Sequence, residues 1–327
     1  MRGYGMRKRR AKDGIRHELM FKTHKCLLRR SEDSLMDIGR VYRSRVIDWH
    51  SQLCVPNGVP LGNMSLCRIG SGYLVSIRQF NYTLAPGCAR CRFFHDFGSD
   101  RAYHFALADE NFGFVRRIES EKFEAFEDFR LISLNGGKNV QASGTILDLE
   151  AKTIKMASLG LDFDGRSLSV AKKCVFPLVR EKNYIPVEDG PGVFVSDMLL
   201  NSLNVVSVAN PVQKRLQRCR GLVKYRGSTQ LLRWRDGYVA IVHRRERSKF
   251  FNAFAFFDKA LLQCRISDEF TVFSDFSPVN FCCGMAINGD KAIVPFCIHD
   301  CKTHLFELPI TDFSMTARWR DLNRCEK

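Results

Sequence analysis

The chain has 327 residues, of which 45% are hydrophobic, and its 51 Lys and Arg residues outnumber its 35 Asp and Glu residues. This hydrophobic content excludes an intrinsically disordered chain, and the length allows one large domain or two modest ones. No apolar run reaches the roughly 18 residues that a membrane-spanning helix needs, so we predict no membrane span.

Positive charge is concentrated at the start of the chain. Residues 1–30 contain 11 Lys and Arg residues and two acidic residues, including a basic run from Arg7 to Arg10. Such a run can bind nucleic acid or an anionic membrane, but no aromatic residues are interleaved with it. We therefore predict a basic N-terminal extension over residues 1–45, partly disordered or helical, and favour a solvated extension over a nucleic-acid partner, which stays as an alternative.

After residue 50 the sequence repeats a short apolar or alternating run, often opened by glycine and an aromatic residue. Runs of this length and composition are typical of strands. The starts of the five clearest runs lie 57, 63, 45 and 54 residues apart, at residues 72–78, 129–135, 192–197, 237–243 and 291–297. Further strand candidates fall between them, at residues 102–109, 144–149, 252–258 and 303–310.

A period of about 45–60 residues that holds about four strands is typical of propeller blades. We therefore predict an all-β fold, a five-bladed β-propeller over residues 46–327. A two-sheet sandwich is the alternative, although its strands normally lack this long period. Because the inner strands of a propeller converge on one axis, polar residues at the ends of the runs should share a central pocket: Arg78, Asp128, Arg130, Lys182, His243 and Asp300.

At these positions the sequence resembles a known family, the five-bladed β-propeller glycoside phosphorylases that act on β-mannosides, together with the related β-1,2-mannosyltransferases. Five segments carry the resemblance in the order of the family, and they cover most of residues 50–313: residues 63–66 with 72–82, 126–131, 181–186, 226–230 with 237–243, and 281–285 with 299–300. The resemblance implies inverting phosphorolysis or synthesis of a β-mannoside-type bond, with inorganic phosphate or a sugar 1-phosphate as substrate and no cofactor.

The resemblance also assigns roles to particular residues. It implies that Asp128 is the catalytic acid, which protonates the leaving group through a sugar hydroxyl. An inverting phosphorylase needs no second carboxylate, because phosphate is already an anionic nucleophile that cations must hold. The implied phosphate ligands are Lys182, Arg226, His243 and Arg130, and the implied sugar ligands are Asn63, Arg78, Tyr82 and Asp300, with Tyr184 as a further aromatic candidate.

Each of these residues also has a plain structural interpretation. Asp128 could be a turn carboxylate paired with Arg130, His243 a strand-end histidine, and Arg78 a buried charge that holds two blades together. Glu127 precedes Asp128 and would point to the opposite face of a regular strand. Phe129 stands where the family usually has proline, which supports an alternative function, a non-catalytic glycan-binding or scaffold propeller.

The 13 cysteines are odd in number and several lie in apolar runs, so we predict reduced thiols in a cytoplasmic protein. No apolar segment follows the basic run, so we expect no secretory signal. Two groups have zinc-like spacing, but free thiols are favoured over a metal site: Cys88, Cys91 and His95, and Cys297, His299, Cys301 and His304. The expected partners are an oligosaccharide or sugar-phosphate substrate, and self-association into a homo-oligomer is left open.

Overall fold

The computed structural model describes residues 35–84, 91–92, 102–123, 126–134, 137, 139–148, 153–179, 183–190, 192–196, 204–207, 214–215, 225–246, 249–261, 264–274 and 279–319. The chain divides into two units, Met1–Met36 and Asp37–Lys327. Most of the predicted basic extension, residues 1–34, lies outside the described residues. The fold is therefore that of the second unit.

Strands account for most of the regular secondary structure among the described residues, which confirms the all-β part of the predicted fold class. The first half of the chain contains β1 (Met36–Asp37), β2 (Ser44–Ile47), β3 (Leu61–Ile69), β4 (Gly72–Gln79), β5 (Thr83–Leu84), β6 (Cys91–Arg92), β7 (Ala102–Ala108), β8 (Phe114–Ser120), β9 (Phe126–Leu134), β10 (Asn139–Asp148), β11 (Thr153–Phe163) and β12 (Ser167–Val179). The second half contains β13 (Ile185–Pro186), β14 (Val193–Ser196), β15 (Asn204–Ser207), β16 (Lys214–Arg215), β17 (Arg226–Gly227), β18 (Leu232–Trp234), β19 (Gly237–Glu246), β20 (Lys249–Asp258), β21 (Cys264–Ile266), β22 (Phe270–Thr271), β23 (Asn280–Phe281), β24 (Ala286–Asn288), β25 (Lys291–Ile298), β26 (Lys302–Pro309) and β27 (Arg318–Trp319).

Three short helices occur among the described residues: α1 (Ile38–Val41), α2 (His50–Leu53) and α3 (Ile310–Thr316). The carboxylate of Asp37 caps α1 by accepting a hydrogen bond from the Gly39 amide at 3.0 Å. None of the described helices has the length and apolar character needed to cross a membrane.

Most strands pair with antiparallel neighbours in chain order, as the repeating sequence predicts. β3, β4, β7 and β8 follow one another, as do β9 to β12, and β13 to β16 form a four-stranded sheet. β2 pairs with β26, so the first described strands join the last ones, and β2 crosses the predicted domain boundary after residue 45. Each of the five predicted runs overlaps a strand in its described part. The central positions of β4, β19 and β25 are buried continuously because neighbouring sheets cover both of their faces.

Five segments, one from each repeat, meet in a closed ring of contacts; we call them the inner segments. They are residues 61–70, 126–134, 183–189, 226–234 and 280–288. Consecutive inner segments are joined by the bond from the Leu131 amide to Ser65 Oγ, by Arg130 to Asn183, by the parallel bridge of Val187 with Leu231, and by Gln230 to Met285. The fifth closes on the first at Gly284, where a Cβ atom would lie 2.6 Å from Ser65 Cα. Only glycine allows this approach.

A layer of side chains without exposed surface fills the middle of this ring. It includes Ser65, Arg130, Ser228 and Gln230, together with Cys282 and Cys283. The Gln230 amide nitrogen donates to the carbonyls of Leu66 and Met285, both at 2.8 Å. The ring therefore has two separate ends, one on each side of this layer.

Candidate functional site

Asn63 and Asp128 occupy β-bulges at the same end of two neighbouring inner segments. The pairing of β3 with β4 and that of β9 with β10 both shift register at these residues. Both have a left-handed backbone, with φ of 44° at Asn63 and 55° at Asp128, which Asn and Asp tolerate better than most residues. Bulges re-aim side chains, and here Asn63 Nδ2 donates to Asp128 Oδ1 at 2.8 Å.

Arg78 links the two acidic residues of β9. Its Nη2 donates to Glu127 Oε1 at 2.7 Å, and its Nη1 lies 3.5 Å from Asp128 Oδ1. The guanidinium is buried and lies over the Phe80 ring, 4.9 Å from its centroid. A regular strand would place Glu127 and Asp128 on opposite faces, but the bulge breaks this alternation. Both carboxylates therefore face the same cation.

Asp300 joins this group from the turn after β25. Its Oδ2 accepts a hydrogen bond from the Tyr82 hydroxyl at 3.1 Å, and its backbone is left-handed, with φ of 50°. Burial raises the pKa of the Asp300 carboxyl above its ordinary value, and the negative charge of Asp128 raises it further. The positive charge of Arg78 and the hydrogen bond from Tyr82 lower the pKa, but they do not cancel the effect of burial. Residues from 63 to 300 in the sequence thus lie close enough to interact electrostatically.

The raised pKa of Asp300 predicts a pH dependence of stability. Between the ordinary pKa of 3.8 and the higher folded value, the folded chain keeps a proton that the unfolded chain releases. This carboxyl therefore lowers the free energy of unfolding as pH rises through that window. Asp300→Asn removes the titration and retains an acceptor for Tyr82, so we expect its stability relative to the wild type to increase with pH.

Urea denaturation of both proteins between pH 4 and pH 7.5 measures this difference. Asp268→Asn is the matched control because Asp268 is exposed, and its difference from the wild type should not change with pH in the same way. A constant difference between Asp300→Asn and the wild type would show that Asp300 is ionised normally in the folded chain.

Arg130 has no exposed surface, and its donors go to protein oxygens. Nε donates to the Ser228 carbonyl at 2.7 Å, Nη1 to the Asp128 carbonyl at 3.0 Å, and Nη2 to the Gly227 carbonyl and Asn183 Oδ1, both at 3.1 Å. These bonds connect three inner segments. In this conformation the guanidinium has no surface for a phosphate ion, which differs from the expected role as a phosphate ligand.

His243 lies at the end of an apolar stretch of β19 and is buried. Its Nδ1 is 2.8 Å from Ser228 Oγ, and its ring stacks on Phe250 and meets the edge of Phe281. Because Ser228 also accepts from Arg130, the contacts of His243 lead through these two residues to Asp128. Arg226 is exposed and lies opposite His243 in the pairing of β17 with β19. Lys182 lies outside the described residues.

Phe129, the departure from the family pattern, packs behind the site. Its buried ring lies 4.4 Å from the Tyr103 centroid and 5.1 Å from the Phe126 centroid. Its amide donates to the Tyr103 hydroxyl at 3.4 Å, a bond that proline could not make. Asp128 nevertheless contacts Asn63 and Arg78, so Phe129 leaves the acid within the polar group.

Two buried thiols, those of Cys283 and Cys297, lie beside the group formed by Asp128 and Asp300. Burial raises the pKa of Cys283 and of Cys297 well above the ordinary value, so both are neutral thiols. A Cβ atom on Gly62 would lie 2.1 Å from Cys297 Sγ, so glycine is needed beside Asn63. No three His, Cys, Asp or Glu side chains among the described residues are placed to hold a metal ion. Cys88, His95 and the side chain of Cys91 lie outside the described residues.

Sequence reasoning missed several residues that hold the site. Asn183 has a left-handed backbone with φ of 70° and accepts from Arg130, and Ser228 joins Arg130 to His243. Nothing in the neighbouring sequence marks either residue as a partner of Arg130. Tyr184, proposed as a sugar-stacking aromatic, has no exposed surface and packs against Phe176 and Phe194.

The fold is shared with solved enzymes of the β-propeller class. A β-1,2-mannobiose phosphorylase from Listeria innocua aligns with a TM-score of 0.55 and 11% identity, over 84% of this chain and 99% of its own. A mannose phosphorylase from Leishmania mexicana, solved with a phosphate ion, aligns with a TM-score of 0.56 and 12% identity, over 91% and 97%.

A third structure belongs to the GH130 family of mannoside phosphorylases, which contains glycoside hydrolases that target β-1,2 mannosidic linkages in Candida mannan. It aligns with a TM-score of 0.51 and 10% identity, over 77% of this chain and 85% of its own. No family model matches the sequence, and no curated protein matches it. At these identities the likeness establishes the fold.

Proposed function

We propose that this chain is a carbohydrate-active enzyme that cleaves or forms a β-mannoside-type glycosidic bond with inversion, using phosphate or a sugar 1-phosphate. In this proposal the five inner segments belong to five blades, and Asp128 is the catalytic acid. The alternative is a non-catalytic glycan-binding or scaffold propeller.

One observation carries the proposal. Asp128, Asn63 and Arg78 are in contact, and Tyr82 and Asp300 join them, although these five positions span most of the sequence. They are the positions that the family resemblance selects for the acid and the sugar ligands. Paired hydrogen-bonding groups of this kind suit the adjacent hydroxyls of a sugar. The fold shared with mannoside phosphorylases supports the same function.

The chemistry of Asp128 follows from its partners. The Asn63 amide and the Arg78 guanidinium contact Oδ1 and hold the carboxyl group in one orientation, and in the proposed reaction the group is protonated before it donates. In the proposed reaction a phosphate oxygen attacks the anomeric carbon while the bond to the leaving oxygen breaks. A proton originating at Asp128 reaches that oxygen through a sugar hydroxyl, and the sugar leaves as its 1-phosphate with inverted configuration.

The proposal places phosphate near Arg226 and His243, and it keeps Lys182, which lies outside the described residues, as a third phosphate ligand. Arg226 is exposed opposite His243 and can offer a fork of donors to an anion. The resemblance implies that Arg130 is a phosphate ligand, but the proposal gives Arg130 a positioning role instead. Its bonds to Asp128, Asn183 and Ser228 hold the acid-bearing segment against its neighbours, so it positions the acid.

Hydrolysis is a second candidate reaction, and the carboxylates around Arg78 favour it. An inverting hydrolase needs a second carboxylate to activate water, and Glu127 and Asp300 both lie near the cation that contacts Asp128. Inorganic phosphate distinguishes the two reactions, because phosphorolysis requires it and hydrolysis does not.

The experiment incubates the full chain with β-linked mannobioses, with and without inorganic phosphate, and measures mannose 1-phosphate and mannose separately. The reverse direction is tested with mannose 1-phosphate and mannose as acceptor. Formation of mannose 1-phosphate that depends on phosphate supports the proposal, and phosphate-independent release of mannose supports hydrolysis. Binding of the same mannosides without turnover in either direction would overturn the enzymatic proposal and support the glycan-binding alternative.

A further inference from the structure

The end of the ring opposite Asp128 contains a cavity. Its volume is about 520 Å³, within the range of small-molecule sites. All five inner segments line it, through Cys67 and Arg68, Ser133, Glu188 and Asp189, Leu232 and Arg233, and Met285 to Ile287. Arg68 follows Asn63 by five residues on β3, which at strand spacing is about 16 Å. The cavity is therefore separate from the Asp128 group.

The floor of this cavity is closed. Gln230 lies in its wall without exposed surface, and both ends of its side-chain amide are bonded. Nε2 donates to the carbonyls of Leu66 and Met285, and Oε1 accepts from the Met285 amide at 3.0 Å. With its own polar groups satisfied, Gln230 offers the cavity a rigid base. A ligand here would not reach Asp128.

The rim of the cavity presents one group of each charge to a ligand. Glu188 is half-buried, and its Oε2 accepts from the Arg233 amide at 2.7 Å, which leaves Oε1 without a hydrogen-bond donor among the described residues. Asp189 forms an ion pair with Arg233 Nε at 2.6 Å and accepts a hydrogen bond from the Tyr238 hydroxyl. Arg68 makes no hydrogen bond or ion pair within the described residues. One guanidinium fork and one carboxylate oxygen are thus available.

These groups define the ligand chemically. A guanidinium fork binds phosphate or carboxylate, and a carboxylate oxygen accepts from hydroxyls. The rest of the lining is aliphatic, from Leu232, Met285, Ala286 and Ile287, and it includes no aromatic ring among the described residues. Burial raises the pKa of Glu188, which agrees with a carboxyl turned toward the cavity rather than toward bulk water.

We propose that this cavity is a second ligand site, which binds a small hydroxylated anion through Arg68 and Glu188. The class includes sugar phosphates and sugar acids, whose shared features are one anionic group and several hydroxyls. The site is independent of the reaction proposed at Asp128, because the buried layer that contains Gln230 separates the two.

The experiment measures binding to the full chain by calorimetry, with glucose 6-phosphate and glucuronate as probes and with glucose and inorganic phosphate as partial ligands. We expect one of the two probes to bind, and Arg68→Gln and Glu188→Gln to weaken it by at least about tenfold. Arg166→Gln is the matched control, since Arg166 is an exposed arginine outside this cavity. Glu188→Gln keeps an acceptor for the Arg233 amide and should fold normally.

Asp128→Asn separates this inference from the proposed function. Binding that persists in Asp128→Asn and is weakened by Arg68→Gln supports the second site whatever the outcome of the mannoside assays. Binding that is unchanged in Arg68→Gln and lost in Asp128→Asn would overturn the inference and place the anion at the Asp128 end. Failure of both probes to bind the wild type at millimolar concentration would also overturn it.

Discussion

Arg130→Met is expected to destabilise the folded chain by about 4 kcal/mol or more, a large part of the total stability of an ordinary domain. The substitution leaves the carbonyl oxygens of Asp128, Gly227 and Ser228 without donors in a region that water does not reach. Each such buried acceptor costs about 1–3 kcal/mol. Urea denaturation followed by tryptophan fluorescence measures the loss.

Two further variants make this expectation specific. Arg130→Lys keeps the charge but replaces a planar fork by a single ammonium, so it should fall between the wild type and Arg130→Met. Arg166→Met removes an exposed arginine and should leave the denaturation midpoint close to that of the wild type. A midpoint for Arg130→Met equal to that of the wild type would mean that these buried bonds contribute little.

Asp128→Asn is expected to lower turnover of the mannoside or sugar 1-phosphate by about 10²–10⁴-fold, the usual contribution of a general acid. The amide cannot supply the proton, but its oxygen can still accept from Asn63 Nδ2, and Arg78 keeps its bond to Glu127. The fold should therefore persist, and the loss should appear in kcat. Product formation under saturating substrate provides the measurement.

The control for this variant is Asp268→Asn, which removes an exposed carboxylate whose residue contacts Ser267 and Thr316 rather than the site residues, and it should retain full turnover. Circular dichroism and the thermal midpoint of Asp128→Asn should match those of the wild type. If Asp128→Asn keeps the wild-type rate, Asp128 is not the acid, and its carboxylate would be a structural group held by Asn63 and Arg78.

The strand pattern was predictable because it depends on local composition. The predicted run at 72–78 is β4, Gly72–Gln79, and the run at 291–297 is β25, Lys291–Ile298. In each case β-branched and aromatic residues cluster between turn residues, so neighbouring positions suffice to indicate a strand. The grouping of Arg78 with Asp128 followed from the propeller prediction, whereas Asn63 was selected only through the family resemblance.

The remaining features depend on contacts between distant segments. The bulge at Asp128 lets Glu127 bond to Arg78, which also contacts Asp128. The alternation of a regular strand would instead place Glu127 on the face opposite Asp128. Arg130 lies beside Asp128 in the sequence, yet its partners are 53 and 98 residues away, at Asn183 and Ser228. Neither the extra residue in a strand pairing nor the partner of a buried guanidinium leaves a local mark in the sequence.

The bonded amide of Gln230 has a consequence for the size of substrate that an enzyme of the proposed kind could process. Because the buried layer that contains Gln230 fills the middle of the ring, the Asp128 side is closed at its inner end within the described residues. A polymer therefore cannot pass through the ring from one side to the other. A site that is closed at its inner end accepts the terminal residues of a glycan rather than an internal segment. Cleavage would therefore remove terminal sugar units one at a time. Each released unit would have to leave through the same opening by which the substrate enters, before the next substrate could bind.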